Sequence, residues 1–291
     1  MDIVGKRLWF FSISGVIILI GVVALMLFGL KPGVDFSGGS LTTISFKQPV
    51  DRAALESALT GLGYQAKVQP TGEGYFSIRT APIDAAAKAK LESDLQAKFG
   101  PLTEVGFDYI DPAIARETGR IAAIAVVASL VGILLYIWWA FRKMPNPLLF
   151  GTSGILALAH DVIVVVGVFA ILGKVLGWEI DLMFITGILA VIGYSINNTV
   201  IIFDRIRENV RMGVSSDFAV TVNSSVVGTL TRTLNTTITT LIAIWALMIF
   251  VGSSIQNFLV ILMVGRIVGA YDSICVAPGL LVAWQKRSRR A

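Results

Sequence analysis

The sequence predicts a polytopic α-helical membrane protein: six transmembrane helices, with a small α+β domain between helices one and two. Three observations carry this. Apolar residues make up 55% of the 291-residue chain and charged residues only 15%, whereas soluble domains average about 45–50% and about 25%. Six apolar runs each approach the roughly 20 residues needed to cross a bilayer core. Between the first two runs, residues 32–118 carry charges of both signs, and no window there is long enough to span.

The first run, Leu8 to Leu30, follows Lys6-Arg7. It outlasts the roughly 7–15 residues of a signal-peptide core and reaches Lys31-Pro32 without a small-residue cleavage site, so it reads as a retained span. Residues 1–31 are therefore the first helical segment. In the next domain, Ser40 to Phe46 alternates and is rich in β-formers. Asp51 to Leu59 is a short helix with an aspartate cap, closed by Gly61 and Gly63. Tyr64 to Gln69 and Tyr75 to Thr80 are strands around a Gly72-Glu73-Gly74 turn. Asp84 to Phe99 is an Ala/Lys/Glu-rich helix ended by Gly100-Pro101, and Leu102 to Ile110 is a last strand. The order β-α-β-β-α-β is the ferredoxin-like arrangement. Five spans fill residues 119–291: Gly119 to Phe141, Leu148 to Leu172 after a Pro145-Asn-Pro147 turn, Leu182 to Phe203, Leu230 to Val251 and Phe258 to Trp284. Residues 204–229 form a cytoplasmic segment, of which Asn209 to Thr229 is too polar to cross and is expected to include a helix lying on the cytoplasmic surface.

Basic residues near span ends set the orientation. Lys6, Arg7, Arg142, Lys143, Arg205, Arg207, Arg211 and the cluster Lys286 to Arg290 fall on one side, and little beyond Lys174 falls in the opposite short loops. By the positive-inside rule both termini are cytoplasmic and the α+β domain is exported. Trp9, Trp138, Trp139, Trp178 and Trp284 fit an interfacial aromatic belt. The net charge of +5 is explained by these loops and needs no nucleic-acid partner. The single cysteine, Cys275, lies in an apolar segment and reads as a buried thiol. No nucleotide loop, nucleophile–base pair or metal-ligand cluster appears, so neither an enzyme nor a metal or cofactor site is expected.

The informative residues are polar groups inside the spans, which normally face protein or water. Asn197 and Asn198 sit in Ile192 to Asn209, a stretch that starts apolar and ends charged. Asn198 lies roughly 8 Å from the cytoplasmic end at 1.5 Å per residue. Arg232, near the start of the next span, is expected at similar depth. Arg232, Asn235, Thr236, Thr239 and Thr240 recur at helical spacing as one polar stripe. The alternative is a snorkelling arginine with threonines bonded to their own backbone. Asp161, preceded by His160, lies near mid-membrane, where a carboxylate needs a proton or a partner. It reads either as a proton-handling group or as a structural hydrogen bond. Asp272 is expected at a depth near Asp161, with Arg266 placed to neutralise either one. Gly265, Gly269, Ser273 and Ala277 repeat every four residues and read as a close-packing face.

At Gly33-Val-Asp-Phe-Ser-Gly-Gly39, Ala159-His-Asp-Val162, Ile192 to Asn209, Thr231-Arg-Thr-Leu-Asn-Thr236 and Gly269 to Ile274, the chain resembles the SecF family of bacterial protein-export membrane subunits. That family is related to the resistance-nodulation-division exporters. The resemblance covers essentially the whole chain, and it implies one span, an exported ferredoxin-like domain and five further spans. It also implies a multi-pass subunit of the bacterial inner membrane that pairs with SecD and assists the SecYEG channel. The proton gradient would be its energy source and an unfolded exported polypeptide its cargo. Arg232 matches an arginine that the family is thought to use for proton passage. At position 198 the family usually has Asp, and an amide cannot release a proton. A native asparagine moves proton handling to Asp161, Asp272 or carboxylates of SecD. An engineered one fixes the site in a protonated-like form. Arg266 and Asp272 depart from a usually apolar, small-residue span. A non-coupling scaffold of the translocon and a proton-driven small-molecule exporter are the alternatives. Pro32 and Gly38-Gly39 are expected to act as hinges or tight turns.

Overall fold

The computed structural model describes residues 1–70, 74–144, 146–250 and 255–288. The Gly72-Glu73 part of the expected turn, Pro145, Val251 and Arg289-Arg290 lie outside the described residues, as do the side chains from Lys286 on. Two units form. One comprises residues 31–124 and 179–182; the other comprises 1–30, 125–178 and the chain from 183 onward.

In the smaller unit, α1 (Arg7–Phe28) has ended and a short turn, α2 (Val34–Ser37), leads into β1 (Gly39–Phe46). Then come α3 (Arg52–Gly61), β2 (Lys67–Pro70), β3 (Tyr75–Thr80), α4 (Ala85–Phe99) and β4 (Leu102–Ile110). Strand order is β2-β3-β1-β4, and every pairing is antiparallel. Asp51 caps α3 by accepting from the Ala53 and Ala54 N–H groups, and Asp84 caps α4 through Ala87. Alternation in β1 and β3 turns Ile44, Phe46, Phe76 and Ile78 inward, where they meet Leu55, Leu59, Leu91 and Leu95 from the helices. The second strand starts at Lys67, three residues later than the alternation from Tyr64 predicts. Tyr64 instead packs against this core while its hydroxyl donates to Ala87 O.

Among the described residues six helices are long and apolar enough to cross a membrane. Besides α1 they are α5 (Pro112–Ala140), α6 (Pro147–Val175), α7 (Leu182–Arg211), α8 (Phe218–Phe250), and α9 (Gln256–Cys275) with α10 (Ala277–Ser288) as one broken span. Three of them outrun their apolar cores. Asp111 starts α5 seven residues before Gly119 by accepting from Ala113 N–H. Asp217 does the same for α8 through Ala219. Within Asn209 to Thr229, where a surface helix was expected, the chain instead extends α7 to Arg211 and opens α8 at Phe218. A buried hydrogen bond from Asn209 Nδ2 to Ser225 Oγ, 2.8 Å, ties these two extensions together. The last span breaks at Val276, two residues before Pro278, which has no N–H to continue the ladder. At one end of the bundle Phe141 and Phe150 stack and Phe203 meets both edge-on, with centroids 5.1–6.0 Å apart. Ile3 and Val4 pack into the same core.

Candidate functional site

Small residues set the geometry of the site. α7 and α9 run side by side with a constant offset, so that Gly187 meets Ile261, Val191 meets Gly265, Ser195 meets Gly269 and Thr199 meets Ser273. A Cβ on Gly265 would lie 2.1 Å from Val191 Cγ2. Ser273 Oγ and Thr199 Oγ1 are 2.9 Å apart, and Ser273 Oγ also donates to Ser195 O at 3.3 Å. Gly265, Gly269 and Ser273 thus lie along the contact with α7, with their small size matched by the helix opposite. On α7 the sequence signal was the same four-residue spacing from Gly187 to Thr199, which the reading from sequence did not use.

This close approach gathers a polar cluster from three helices. Asp161 of α6 is fully buried and accepts a hydrogen bond from Ser195 Oγ at 2.5 Å. Gly269 leaves it room, since a Cβ there would sit 3.3 Å from Asp161 Oδ2. His160 Nδ1 lies 3.1 Å from Asp161 Oδ1 and 3.8 Å from Asp272 Oδ1. Adjacent residues on a helix are not expected to share a partner, yet the imidazole is long enough to swing back over its neighbour. Tyr271 stands beside the His160 ring, centroids 6.3 Å apart. Both Asp272 oxygens and His160 Nε2 are buried with no hydrogen-bond partner among the described residues. One donor atom from each of His160, Asp161 and Asp272 lies within 4.8 Å of the others. The fold thus brings Asp272 beside the neighbouring pair His160-Asp161, which lies more than a hundred positions earlier in the sequence.

Other expectations change too. Arg266 neutralises neither carboxylate among the described residues. Its guanidinium donates to Thr236 O at 3.0 Å and lies over the Tyr194 ring at 5.2 Å. Six positions from Asp272, it leaves α9 on a different face. Asn198 is buried, with both amide atoms unpartnered among the described residues, whereas Arg232 and Asn197 are exposed. Asn198 and Arg232 therefore do not share a seam inside this chain. The stripe of Arg232, Asn235, Thr236 and Thr239 faces outward, with Thr240 half-buried. Its threonines bond to their own backbone: Thr236 to Arg232 O, Thr239 to Asn235 O and Thr240 to Thr236 O. The face of α8 that turns inward is Ser225, Thr229, Thr233 and Thr237.

Comparison with known proteins decides the family. Residues 90–287 match the description "Protein export membrane protein SecD/SecF, C-terminal", and residues 23–50 match the "SecD/SecF GG Motif". The chain belongs to the SecD/SecF family of protein-export membrane proteins. Among relatives in that family, the protein translocase subunit SecF of Thermobaculum terrenum is 41% identical over 99% of this chain and 95% of its own length. SecF of Pseudomonas aeruginosa is 33% identical over 97% and 90%. The crystal structure of SecDF from Thermus thermophilus, described as translocon-associated, superposes with a TM-score of 0.89 at 31% identity. A SecDF in a super-membrane-facing form gives 0.72 at 30%. The chain spans 39% of the length of each of these solved SecDF chains. The GG-motif match falls on Gly38 and Gly39, which have φ of +72° and +126°. A Cβ on Gly38 would lie 2.8 Å from Pro112 Cα, and one on Gly39 2.7 Å from Thr80 O. The pair is thus a tight turn pressed between two segments rather than a free hinge.

Proposed function

We propose that the chain is a subunit of a SecDF-type accessory complex of the Sec translocon, in the bacterial inner membrane. It pairs with SecD, works beside SecYEG and uses the proton motive force to assist late steps of protein export. The observation that carries the coupling role is the buried His160–Asp161–Asp272 cluster. His160 Nδ1 faces two carboxylates, so one proton can be held among three groups without an ion pair to lysine or arginine. Asn198 cannot release a proton, and the cluster supplies that chemistry one helical turn away, at Ser195. The α+β unit is read as an exported ferredoxin-like domain, because antiparallel β2-β3-β1-β4 order with two helices fits that arrangement. Both termini are read as cytoplasmic from the basic loops. No catalytic residue or cofactor is assigned.

The outward stripe on α8 supports a partner. A guanidinium and an amide aimed at acyl chains are costly, and a neighbouring bundle removes that cost. The test is proton uptake and export in vesicles holding the full complex. Asp161→Asn and Asp272→Asn should each abolish proton-dependent export while the complex still copurifies. Export that survives both changes would favour the scaffold reading.

A further inference from the structure

We infer that Arg266, Asn198 and Thr233 form a binding site for one small monovalent anion, of chloride size, where α7, α8 and α9 meet. The three residues are only 5%, 1% and 0% exposed. Arg266 Nε and Nη1, both amide atoms of Asn198 and Thr233 Oγ1 have no hydrogen-bond partner among the described residues. A guanidinium presents five N–H donors and no acceptor. Arg266 Nη2 donates to Thr236 O at 3.0 Å, and its Cζ lies 5.2 Å from the Tyr194 ring centroid. Neither the carbonyl nor the ring carries a compensating charge. A buried cation left in that condition is costly, above all inside a membrane bundle.

Helix geometry puts the three on one side of the α7–α9 contact. Residue numbers rise together along that contact, from Val191 with Gly265 to Thr199 with Ser273, so the two helices run parallel. Successive residues step by about 100° around a helix. In a parallel pair, the residue after a contact position on one helix and the residue before it on the other fall on the same side. Arg266 follows Gly265, while Tyr194 and Asn198 precede Ser195 and Thr199. Asp272 precedes Ser273 and so lies on the opposite side, with His160 and Asp161. α8 closes the side of the arginine. The Asn209–Ser225 hydrogen bond fixes its register on α7. Asn198 lies as many residues before Asn209 as Thr236 lies after Ser225, which brings it to the depth of the carbonyl that receives Arg266. Thr233 lies about one turn away on the same helix.

The donor set decides the ligand. One guanidinium supplies one positive charge, and the amide and the hydroxyl add neutral donors. A single negative charge balances the site, whereas a divalent anion would leave an excess charge in an apolar interior. Asn198 can serve both ions, its Oδ1 accepting from the guanidinium and its Nδ2 donating to the anion. An aspartate at that position would carry the balancing charge on the chain itself. The site is separate from the His160–Asp161–Asp272 cluster and does not rest on the proton reading.

The test is binding of radiolabelled chloride to the purified full chain in detergent, with gluconate holding the ionic strength constant. One saturable site per chain is expected, displaced by bromide and not by sulfate. Arg266→Gln should weaken binding at least about tenfold, as for hydrogen bonds to a charged group. Thr233→Val keeps the shape without the hydroxyl and should weaken it about two- to tenfold. Asn198→Asp should abolish binding, because its carboxylate takes the same donors. The thermal midpoint of the parent should rise with chloride, as for any ligand that binds only the folded state. That of Asn198→Asp should be higher without chloride and indifferent to it. This variant gains an ion pair, so it keeps the proposal falsifiable even where Arg266→Gln does not fold. A parent chain with no saturable chloride site would overturn the proposal and leave the guanidinium to a carboxylate of a partner. Equal chloride affinity in Asn198→Asp and the parent would overturn it too.

Discussion

Replacing Gly265 by Ala should be the most damaging single methyl added to the α7–α9 contact. Its Cβ would lie 2.1, 2.6 and 2.9 Å from Val191 Cγ2, Cγ1 and Cβ. Carbon pairs prefer about 3.5–4.0 Å, so the shortest contact is too close by about 1.4 Å. Rotation about the valine χ1 moves the two methyls but leaves its Cβ at 2.9 Å. The backbones of α7 and α9 must therefore part, and overpacking of this kind costs about 1–3 kcal/mol. Gly187→Ala meets Ile261 Cγ2 at 2.8 Å and Gly269→Ala meets Ser195 Cβ at 3.0 Å, so both should cost less. Unfolding of the purified chain by denaturing detergent, followed by tryptophan fluorescence, measures the order. In a Val191→Gly background, which removes that Cβ with both methyls, most of the Gly265→Ala loss should disappear, with a coupling energy of about 0.5–3 kcal/mol. A Gly265→Ala chain as stable as its parent, or one that Val191→Gly does not rescue, would refute the packing geometry.

Two further outcomes follow from single contacts. Asn223 Oδ1 accepts from the Ile3 and Val4 N–H groups at 2.8 and 3.1 Å, and its Nδ2 donates to Met1 O at 2.9 Å. Asn223→Ala should cost about 1–2 kcal/mol, as for a lost helix cap, and expose residues 1–6 to protease; Asn223→Asp, which keeps the acceptor, should fall between. In the α+β unit, a hydrogen bond from Lys88 holds the Glu104 carboxyl below its usual range, while burial first and Glu104 second push Glu92 up. As pH falls, Glu92 should therefore take its proton before Glu104. Glu104 stabilises the fold above the ordinary carboxylate pKa and loses that contribution as pH drops through its lowered value. Glu92 has the opposite sign, because its raised value favours the protonated folded form. Carboxyl NMR titration reads the order, and Lys88→Ala should raise Glu104 toward its ordinary value.

The fold was legible where a local rule decides it. Asp51 and Asp84 are caps whose partners lie within three residues, and the strand Tyr75–Thr80 is set by alternation with one apolar face. Helix ends were less legible because hydropathy marks the membrane and not the helix. Asp111 and Asp217 start α5 and α8 well before the apolar stretch begins, and α7 runs on past Phe203 as an amphipathic extension. The site was legible only in part. Asp161 and Asp272 stand out as carboxylates in apolar runs. Nothing local places His160 between them, since that depends on how α6 and α9 cross.

The phase of α8 is the most instructive case. Sequence shows polar residues at helical spacing, but this helix carries two such stripes. Ser225, Thr229, Thr233 and Thr237 recur every four residues, as firmly as the Arg232 to Thr240 set does. Periodicity establishes that a stripe exists and cannot say which one turns inward. The structure turns the small hydroxyl stripe to the interior, where Ser225 accepts from Asn209 and Thr233 and Thr237 are buried. It leaves the stripe with the guanidinium outside. Small residues allow backbones to approach, whereas an arginine needs a longer reach and an acceptor at its end. A transmembrane helix polar on both faces is costly against lipid on either side. This chain covers one of them. The other, with Arg232, is the face that the proposed partner would cover.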